Sequence, residues 1–270
     1  MSWFDALILG LVEGLTEFLP ISSTGHLIIA ESILGLSEDD PVTKAFTIII
    51  QGAAILAVCW EYRVKLWDTT RAIFTQTAAR RFALNLIVAF LPLAILAKEF
   101  GEDIKARLFA PLPVAIALVV GGLIILWAEK RKHIESIGTV DEVKPLDALK
   151  VGLFQVLALF PGTSRSAATI LGGLFVGFSR RAATEFSFYI AIPTLLAATV
   201  YSLWETRHEL TIAYIGPLTL SSVVAFITAL ISIRFLIRFV SNHSFAAFAW
   251  YRIVFGGLIL ATWALGWVKW

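Results

Sequence analysis

Two short stretches, far apart in the chain, hold residue types that could do chemistry. In the first, Glu13 and Glu17 stand four residues apart within an apolar run. On a helix that spacing puts both carboxylates on one face. Ionisable groups inside a membrane-type segment are costly and usually functional. Two such carboxylates can hold one divalent cation, or divide into a base and a metal ligand. The bland alternative is a pair solvated near the membrane surface, but Leu15, Phe18, Leu19 and Ile21 surround them. Ser22, Ser23, Thr24, Gly25 and His26 follow at once. A serine near an imidazole and carboxylates supplies nucleophile, acid and base. Pro20 breaks the chain here, so one hydroxyl is expected to cap the next helix. Capping does not account for His26, the only histidine in an apolar block.

The second stretch is Pro161-Gly162-Thr163-Ser164-Arg165-Ser166. Ser164 or Thr163 can cap the helix that begins there. The free N–H groups at a helix start form an anion site. Arg165 adds a planar fork of donors suited to phosphate. Its alternative role is an ion pair with Glu13 or Glu17. Together the two stretches offer two carboxylates, a place for a cation, a Ser/His pair and an arginine-plus-N–H cradle. Phosphoryl transfer needs positioning and charge neutralisation above all. The set therefore suits cleavage of a phosphate ester or diphosphate, and its apolar surroundings suit a lipid-linked substrate. This pattern does not name the lipid.

The elements that must position these residues are membrane helices. Only 16% of the residues are charged, against about a quarter in soluble domains, and the mean hydropathy is +0.82. Spans of roughly 20 apolar residues are predicted near 44–62, 82–98, 112–128, 184–203, 215–238 and 245–266. Segments 5–35 and 148–178 are apolar but broken at the middle by Pro, Ser, Thr and Gly. Broken backbone at membrane depth is tolerated only against protein or a wet cavity, so both are read as re-entrant helical hairpins with polar tips. The two blocks also resemble each other. Gly10-Leu11 matches Gly152-Leu153, Phe18 matches Phe160, and Gly35-Leu36-Ser37 matches Gly177-Phe178-Ser179. The Pro-x-(Ser/Thr)-Ser cores align after one deletion. Further along, the segments at Lys44 and Thr184, at Val88 and Val224, and at Gly121 and Gly256 pair likewise. Each half, approximately 1–135 and 145–270, holds one hairpin and three spans. The odd number forces opposite orientations. The expected fold is one all-α polytopic membrane domain over 1–270, with six transmembrane helices and two re-entrant hairpins in an inverted-topology repeat. Such repeats place a shared site at the midplane.

Loop charges orient the molecule. Basic residues collect in 63–81, in 129–150, at Arg180 and Arg181, and at Arg234 and Arg238. All fall on one side of the six-span arrangement, which is therefore expected to be cytoplasmic. The acidic run at 38–40 and the mixed loops 98–107 and 205–209 fall outside. A net charge of +2 with no basic stripe argues against nucleic acid. Cys59 is read as a small buried hydrophobe. The start of the chain shows no basic n-region or cleavage site, so no removable signal is expected.

The blocks Glu13-Gly-Leu-Thr-Glu17-Phe-Leu-Pro-Ile-Ser-Ser-Thr-Gly-His26 and Pro161-Gly-Thr-Ser-Arg-Ser-Ala-Ala-Thr169 resemble the two signature motifs of bacterial undecaprenyl-diphosphate phosphatases of the bacitracin-resistance type. Both match the family pattern, (Glu/Gln)-x3-Glu and Pro-Gly-x-Ser-Arg-Ser-x2-Thr, and the similarity extends to Glu185-Phe-Ser-Phe188 and Tyr251-Arg252. The resemblance implies hydrolysis of undecaprenyl diphosphate to the monophosphate and inorganic phosphate, aided by Mg2+ or Ca2+. It implies recycling of the carrier lipid for cell-wall synthesis, bacitracin tolerance, and a site in the cytoplasmic (inner) membrane open to the periplasm. It also implies residue roles. Glu13 and Glu17 hold the metal and orient the diphosphate. Ser23 is the nucleophile, and His26 shuttles a proton or stabilises a phosphorylated intermediate. Arg165, with Thr163, Ser164 and Ser166, and with Thr24 and Gly25 on the first tip, binds the phosphate oxygens. Attack by water activated by Glu17 or His26 is the other mechanism these residues allow. The partners implied are the polyprenyl diphosphate and membrane lipid, with room for a homodimer.

Two other readings compete. The acid-phosphatase superfamily that also cleaves lipid phosphates needs an Arg-Pro dipeptide and a late His-x3-Asp. No Arg-Pro occurs here, and the residues four beyond His133, His208 and His243 are Ile137, Ile212 and Ala247. A transporter of polyprenyl phosphate would also use inverted repeats and broken helices. It would release no phosphate.

Overall fold

The computed structural model describes residues 1–37, 40–108, 110–131, 133–206 and 214–266. In chain order the helices are α1 (Trp3–Thr16), α2 (Ser23–Leu34), α3 (Pro41–Glu61), α4 (Arg63–Ala72), α5 (Thr77–Leu108), α6 (Pro111–Lys130), α7 (Pro145–Gln155), α8 (Arg165–Val176), α9 (Arg180–Thr206), α10 (Ile215–Val240) and α11 (Ala246–Ala264). Six are long and apolar enough to cross a membrane: α3, α5, α6, α9, α10 and α11. They are the six expected, and the protein is an all-α, polytopic membrane protein. Local signals set their starts. Asp40 Oδ2 accepts from Thr43 N at 3.0 Å and Pro41 opens α3, while Pro111 opens α6, both ordinary first-turn positions for proline. At α1, Ser2 and Asp5 form a reciprocal capping box.

The two broken blocks fold as helix pairs, α1–α2 and α7–α8. Their arms have 14, 12, 11 and 12 residues. At 1.5 Å per residue none reaches across a hydrocarbon core of about 30 Å. The halves interlock. Helix α1 lies on α10, where a Cβ on Gly10 would come within 2.5 Å of Ser221 O and one on Gly14 within 2.3 Å of Ala225 O. Helix α7 lies on α5 in the same way, with Gly152 facing Ala89 O at 2.5 Å. Helices α6 and α11 cross on their paired glycines: Gly122 faces Ala249 O and Gly256 faces Ala115 O, each at 2.7 Å. Each helix pair thus seats on a span from the other part of the chain, and backbones approach closely at Gly10, Gly14, Gly122, Gly152 and Gly256. The main apolar core, which includes Phe18, Ile55, Phe186, Phe188 and Ile233, fills the space behind the tips.

Two features were not foreseen. The basic segment 63–81 contains α4, a short helix with no buried residue. The link between the halves is packed rather than loose. Ile137, Val140 and Val143 are buried, and Ile137 pairs with Phe178 in an isolated bridge. Of the loop charges used for orientation, Glu38, Asp39, Lys132 and residues 207–209 lie outside the described residues.

Candidate active site

Helix α1 ends at Thr16, and Glu17 closes it by donating its N–H to Glu13 O at 2.9 Å. The chain then turns through Pro20 to Ser22, which has φ 72° and ψ 95°. A non-glycine residue at positive φ costs strain and is held only by its surroundings. This turn reverses the chain so that Ser23, the first residue of α2, faces back toward Glu17. Ser23 Oγ donates to Glu17 Oε2 at 2.5 Å.

The second tip repeats the device. Ser164 has φ 73° and caps α8, accepting from Ala167 N at 3.2 Å. Ser22 and Ser164 are the only non-glycine residues at positive φ among the described residues. Both helices also end at a left-handed glycine, Gly35 and Gly177. The structural register therefore runs without a gap: Ser22 matches Ser164, Ser23 matches Arg165, and Thr24 matches Ser166. This corrects the one-deletion alignment of the proline cores, because the turn conformation, not the proline, is what the two tips share.

Arg165 reaches from the second tip to the first. Its Nη2 donates to Glu17 Oε1 at 2.9 Å and its Nη1 to Ser187 O at 3.0 Å. The pair is nearly dry, with side-chain exposures of 9% and 5%. Ser166 Oγ donates to Leu19 O at 2.9 Å and lies 3.0 Å from Ser164 Oγ. Thr169 Oγ1 and Ser187 Oγ share a 2.6 Å bond behind Arg165. The ion pair across the repeat thus forms with Glu17 and joins the tips into one unit.

Glu13 differs from its neighbour. Its carboxylate is fully buried, and neither oxygen has a hydrogen-bond partner among the described residues. The nearest charges are those of Glu17, Arg165 and Glu31. An orphaned carboxylate one turn from a second one fits a hard divalent cation, which takes oxygen ligands. Among the described residues no group of three or more His, Cys, Asp or Glu could hold a metal. A cation here would therefore rely on substrate oxygens and water as well, which is how Mg2+ usually sits in phosphoryl-transfer sites.

His26 does not bond to Ser23. Its Nδ1 lies 2.7 Å from Ser22 O and its Nε2 2.6 Å from the Tyr251 hydroxyl. Because a carbonyl can only accept, Nδ1 carries the proton, and a neutral ring then accepts from Tyr251 at Nε2. The ring stacks on Phe255 at 4.4 Å. The Thr24 side chain is half-buried and makes no hydrogen bond among the described residues. Gly25 is buried against α6, where a Cβ would lie 3.2 Å from Val114. Thr163 contributes its carbonyl rather than its amide, as described next.

Sequence reasoning gave no role to three residues. Ser187 holds Arg165, and Tyr251 holds His26. Arg252 is fully buried on α11 and donates five hydrogen bonds to carbonyls: Nη1 to Thr163 O (2.9 Å) and Pro20 O (3.3 Å), Nη2 to Gly162 O (3.0 Å) and Ala117 O (3.2 Å), Nε to Leu118 O (3.3 Å). An arginine in the middle of an apolar span was the available signal. What the constellation can do follows from its geometry: a hydroxyl aimed at a carboxylate, that carboxylate fixed by a guanidinium, and two helix starts meeting beside a spare carboxylate.

The model of the family described as bacitracin resistance protein BacA matches residues 6–258. The undecaprenyl-diphosphatase of Dechloromonas aromatica (strain RCB) is 56% identical over 265 residues, covering 98% of this chain and 96% of the relative. That of Nitrosospira multiformis is 55% identical, covering 100% of this chain and 99% of its own. Undecaprenyl-diphosphatase 2 of Pseudomonas fluorescens (strain Pf0-1) is 53% identical, covering 100% and 97%.

Proposed function

The chain belongs to the bacitracin resistance protein BacA family and hydrolyses undecaprenyl diphosphate to undecaprenyl phosphate and inorganic phosphate, and we propose that it does so where its two tips meet. The observation that carries this placement is the continuous chain Ser23–Glu17–Arg165, which joins both motifs. The family links the activity to cell-wall lipid recycling and bacitracin resistance. The relatives' names do not favour lipid transport as the alternative.

In the proposed reaction Ser23 Oγ attacks the terminal phosphorus and passes its proton to Glu17 Oε2. The anhydride P–O bond breaks, and undecaprenyl phosphate leaves. Water then cleaves the phosphoserine and releases inorganic phosphate. The Tyr251 hydroxyl, bonded to His26 Nε2, relays the proton of that water to the neutral ring, and Glu17 returns its proton to the departing Ser23 Oγ. Arg165 and the N–H groups at the starts of α2 and α8 bind the equatorial oxygens, whose charge must be met by fixed donors. Ser164, Ser166, Thr163, Thr24 and Gly25 shape that cradle. Glu13 and Glu17 would hold Mg2+ or Ca2+, which supplies charge neutralisation of the diphosphate.

We further propose that α1–α2 and α7–α8 are re-entrant, entering from opposite faces. The site would open to the periplasm of a bacterial cytoplasmic membrane. The ion pairs Arg180–Glu129, Arg234–Glu61 and Lys65–Asp141 support this, because they tie the basic segments together at one end of the molecule. The test is phosphate release from undecaprenyl diphosphate in detergent, with Mg2+, with Ca2+ and with chelator, beside Ser23→Ala. Metal-dependent release lost in Ser23→Ala supports the serine nucleophile. Release retained in Ser23→Ala would transfer the attack to water.

A further inference from the structure

Among the described residues Arg252 is the largest fully buried side chain, and no carboxylate pairs with it. Its five N–H groups are spent on five backbone carbonyls. Two belong to α6, Ala117 and Leu118. The other three belong to the tips: Pro20 in the first, Gly162 and Thr163 in the second. Among the described residues it is the one side chain whose donors reach the backbone of both tips.

We infer that Arg252 is a positioning residue that draws the tip carbonyls away from the substrate and, through Thr163, turns the Ser164 N–H toward the diphosphate; the amides after Pro20 and Gly162 are already held by Leu19 O and Phe160 O. The inference rests on the phosphatase reading above. Among the described residues no peptide bond is cis, and across a trans peptide the C=O and the following N–H point in opposite directions. With Thr163 O turned toward Arg252, the Ser164 N–H points the other way, onto the side where Arg165 and Ser166 begin α8. The first N–H groups of a helix have no partner within it, and those of Ser23, Thr24, Arg165 and Ser166 find no acceptor among the described residues. Were the tip carbonyls turned outward, their negative ends would face a substrate with several negative charges. Two buried carbonyls, of Pro20 and Gly162, and the half-buried one of Thr163 would also lose a donor, and buried polar groups do not stay unpaired. Gly162, at φ +87°, gives that segment the freedom to turn over if it is not held. The guanidinium therefore acts through Pro20, Gly162 and Thr163, without touching the reacting atoms.

The sequence leaves room for it at Gly121. A Cβ there would lie 2.2 Å from Arg252 Nη2 and 2.9 Å from its Cζ, so any side chain at 121 must push the guanidinium off its carbonyls. Gly121→Ala thus perturbs the clamp without removing the charge.

The experiment compares Arg252→Met, Arg252→Lys and Gly121→Ala with the parent protein in detergent. It reads kcat and KM for undecaprenyl diphosphate, inhibition by inorganic phosphate, and the rise of Tm with added phosphate. A misplacement of about 1 Å in a site costs about 10²-fold. Arg252→Met and Gly121→Ala should lose that much or more in kcat, well below their Tm, and phosphate should no longer inhibit them or raise their Tm. Arg252→Lys, with three donors on one point charge, should recover part of both. If Arg252→Met does not fold, Gly121→Ala and Arg252→Lys carry the test. Folded variants with parental kcat and parental phosphate effects, differing only in Tm, would show a merely structural residue and overturn the inference. The Tm rise with phosphate needs no turnover. Failure of the phosphatase reading would show separately, as a parent protein that releases no phosphate.

Discussion

Removing one member of the Glu17–Arg165 pair should cost more stability than removing both. The two charges sit 2.9 Å apart with little exposure on either side. At an effective dielectric of about 20 their attraction is about 6 kcal/mol, most of it offset by the loss of hydration. Glu17→Gln keeps an amide oxygen that can accept from Arg165 Nη2, but it leaves the buried guanidinium with no carboxylate in contact, and its Nε has no partner among the described residues. Arg165→Met leaves the Glu17 carboxylate with the Ser23 hydroxyl alone. Each single change should destabilise by about 3–5 kcal/mol, a fall on the order of 10 °C in Tm. The double variant Glu17→Gln/Arg165→Met replaces a buried ion pair with neutral groups of similar volume and should lie within about 1–2 kcal/mol of the parent. Activity should not follow stability. Loss of the carboxylate base should lower kcat by about 10²–10⁴-fold in Glu17→Gln and in the double variant alike. The assay is thermal unfolding in detergent beside phosphate release from undecaprenyl diphosphate. A double variant as unstable as the sum of the singles would show that the pair is not coupled. Glu17→Gln working at more than about a tenth of the parental kcat would remove Glu17 from the base role.

Other outcomes follow from the same geometry. Glu13→Gln breaks no hydrogen bond, because neither oxygen makes one; its Tm should hold or rise while the Mg2+ concentration for half-maximal phosphate release increases at least tenfold, and an unchanged metal profile would exclude Glu13 as a ligand. Tyr251→Phe removes the 2.6 Å bond to His26 Nε2, a loss of about 0.5–1.5 kcal/mol, so kcat should fall between about twofold and tenfold with KM unaffected; no change in steady-state kinetics would make that bond incidental. Gly14→Ala puts a methyl 2.1 Å from Thr228 Oγ1 and 2.3 Å from Ala225 O, and the forced separation of α1 from α10 should destabilise by about 1–3 kcal/mol, visible as a lower Tm.

The large features were legible because they depend on composition and periodicity. Six apolar runs became six spans, and the two polar breaks became the two tips. The likeness of the two blocks was read in part from Gly10 and Gly152, and the structure shows each of them against the backbone of a span. What escaped depends on backbone angles that residue type does not announce. Ser22 adopts positive φ, and that turn decides that Ser23 meets Glu17 while His26 meets Tyr251. Spacing alone put Ser23 three residues from His26 and six from Glu17, and did not single out Glu17. The same turn in Ser164 fixed the ungapped register that a match of prolines had obscured. Arg252 escaped because its partners are carbonyls, which carry no sequence signature. Arg165 was legible as a residue in need of an anion, but the choice of Glu17 over Glu13 is a matter of how α8 meets the end of α1.

The central claim is that the two tips, one from each half of the chain, form a single catalytic unit. The most direct test is a kinetic double-mutant cycle of Ser23→Ala and Arg165→Ala, reading kcat/KM for undecaprenyl diphosphate. Residues that act as a unit are strongly non-additive. The double variant should be about as slow as the slower single, within about tenfold. Losses that multiply, so that the double variant falls by the product of the two single effects, would place Ser23 and Arg165 in independent roles and contradict the account.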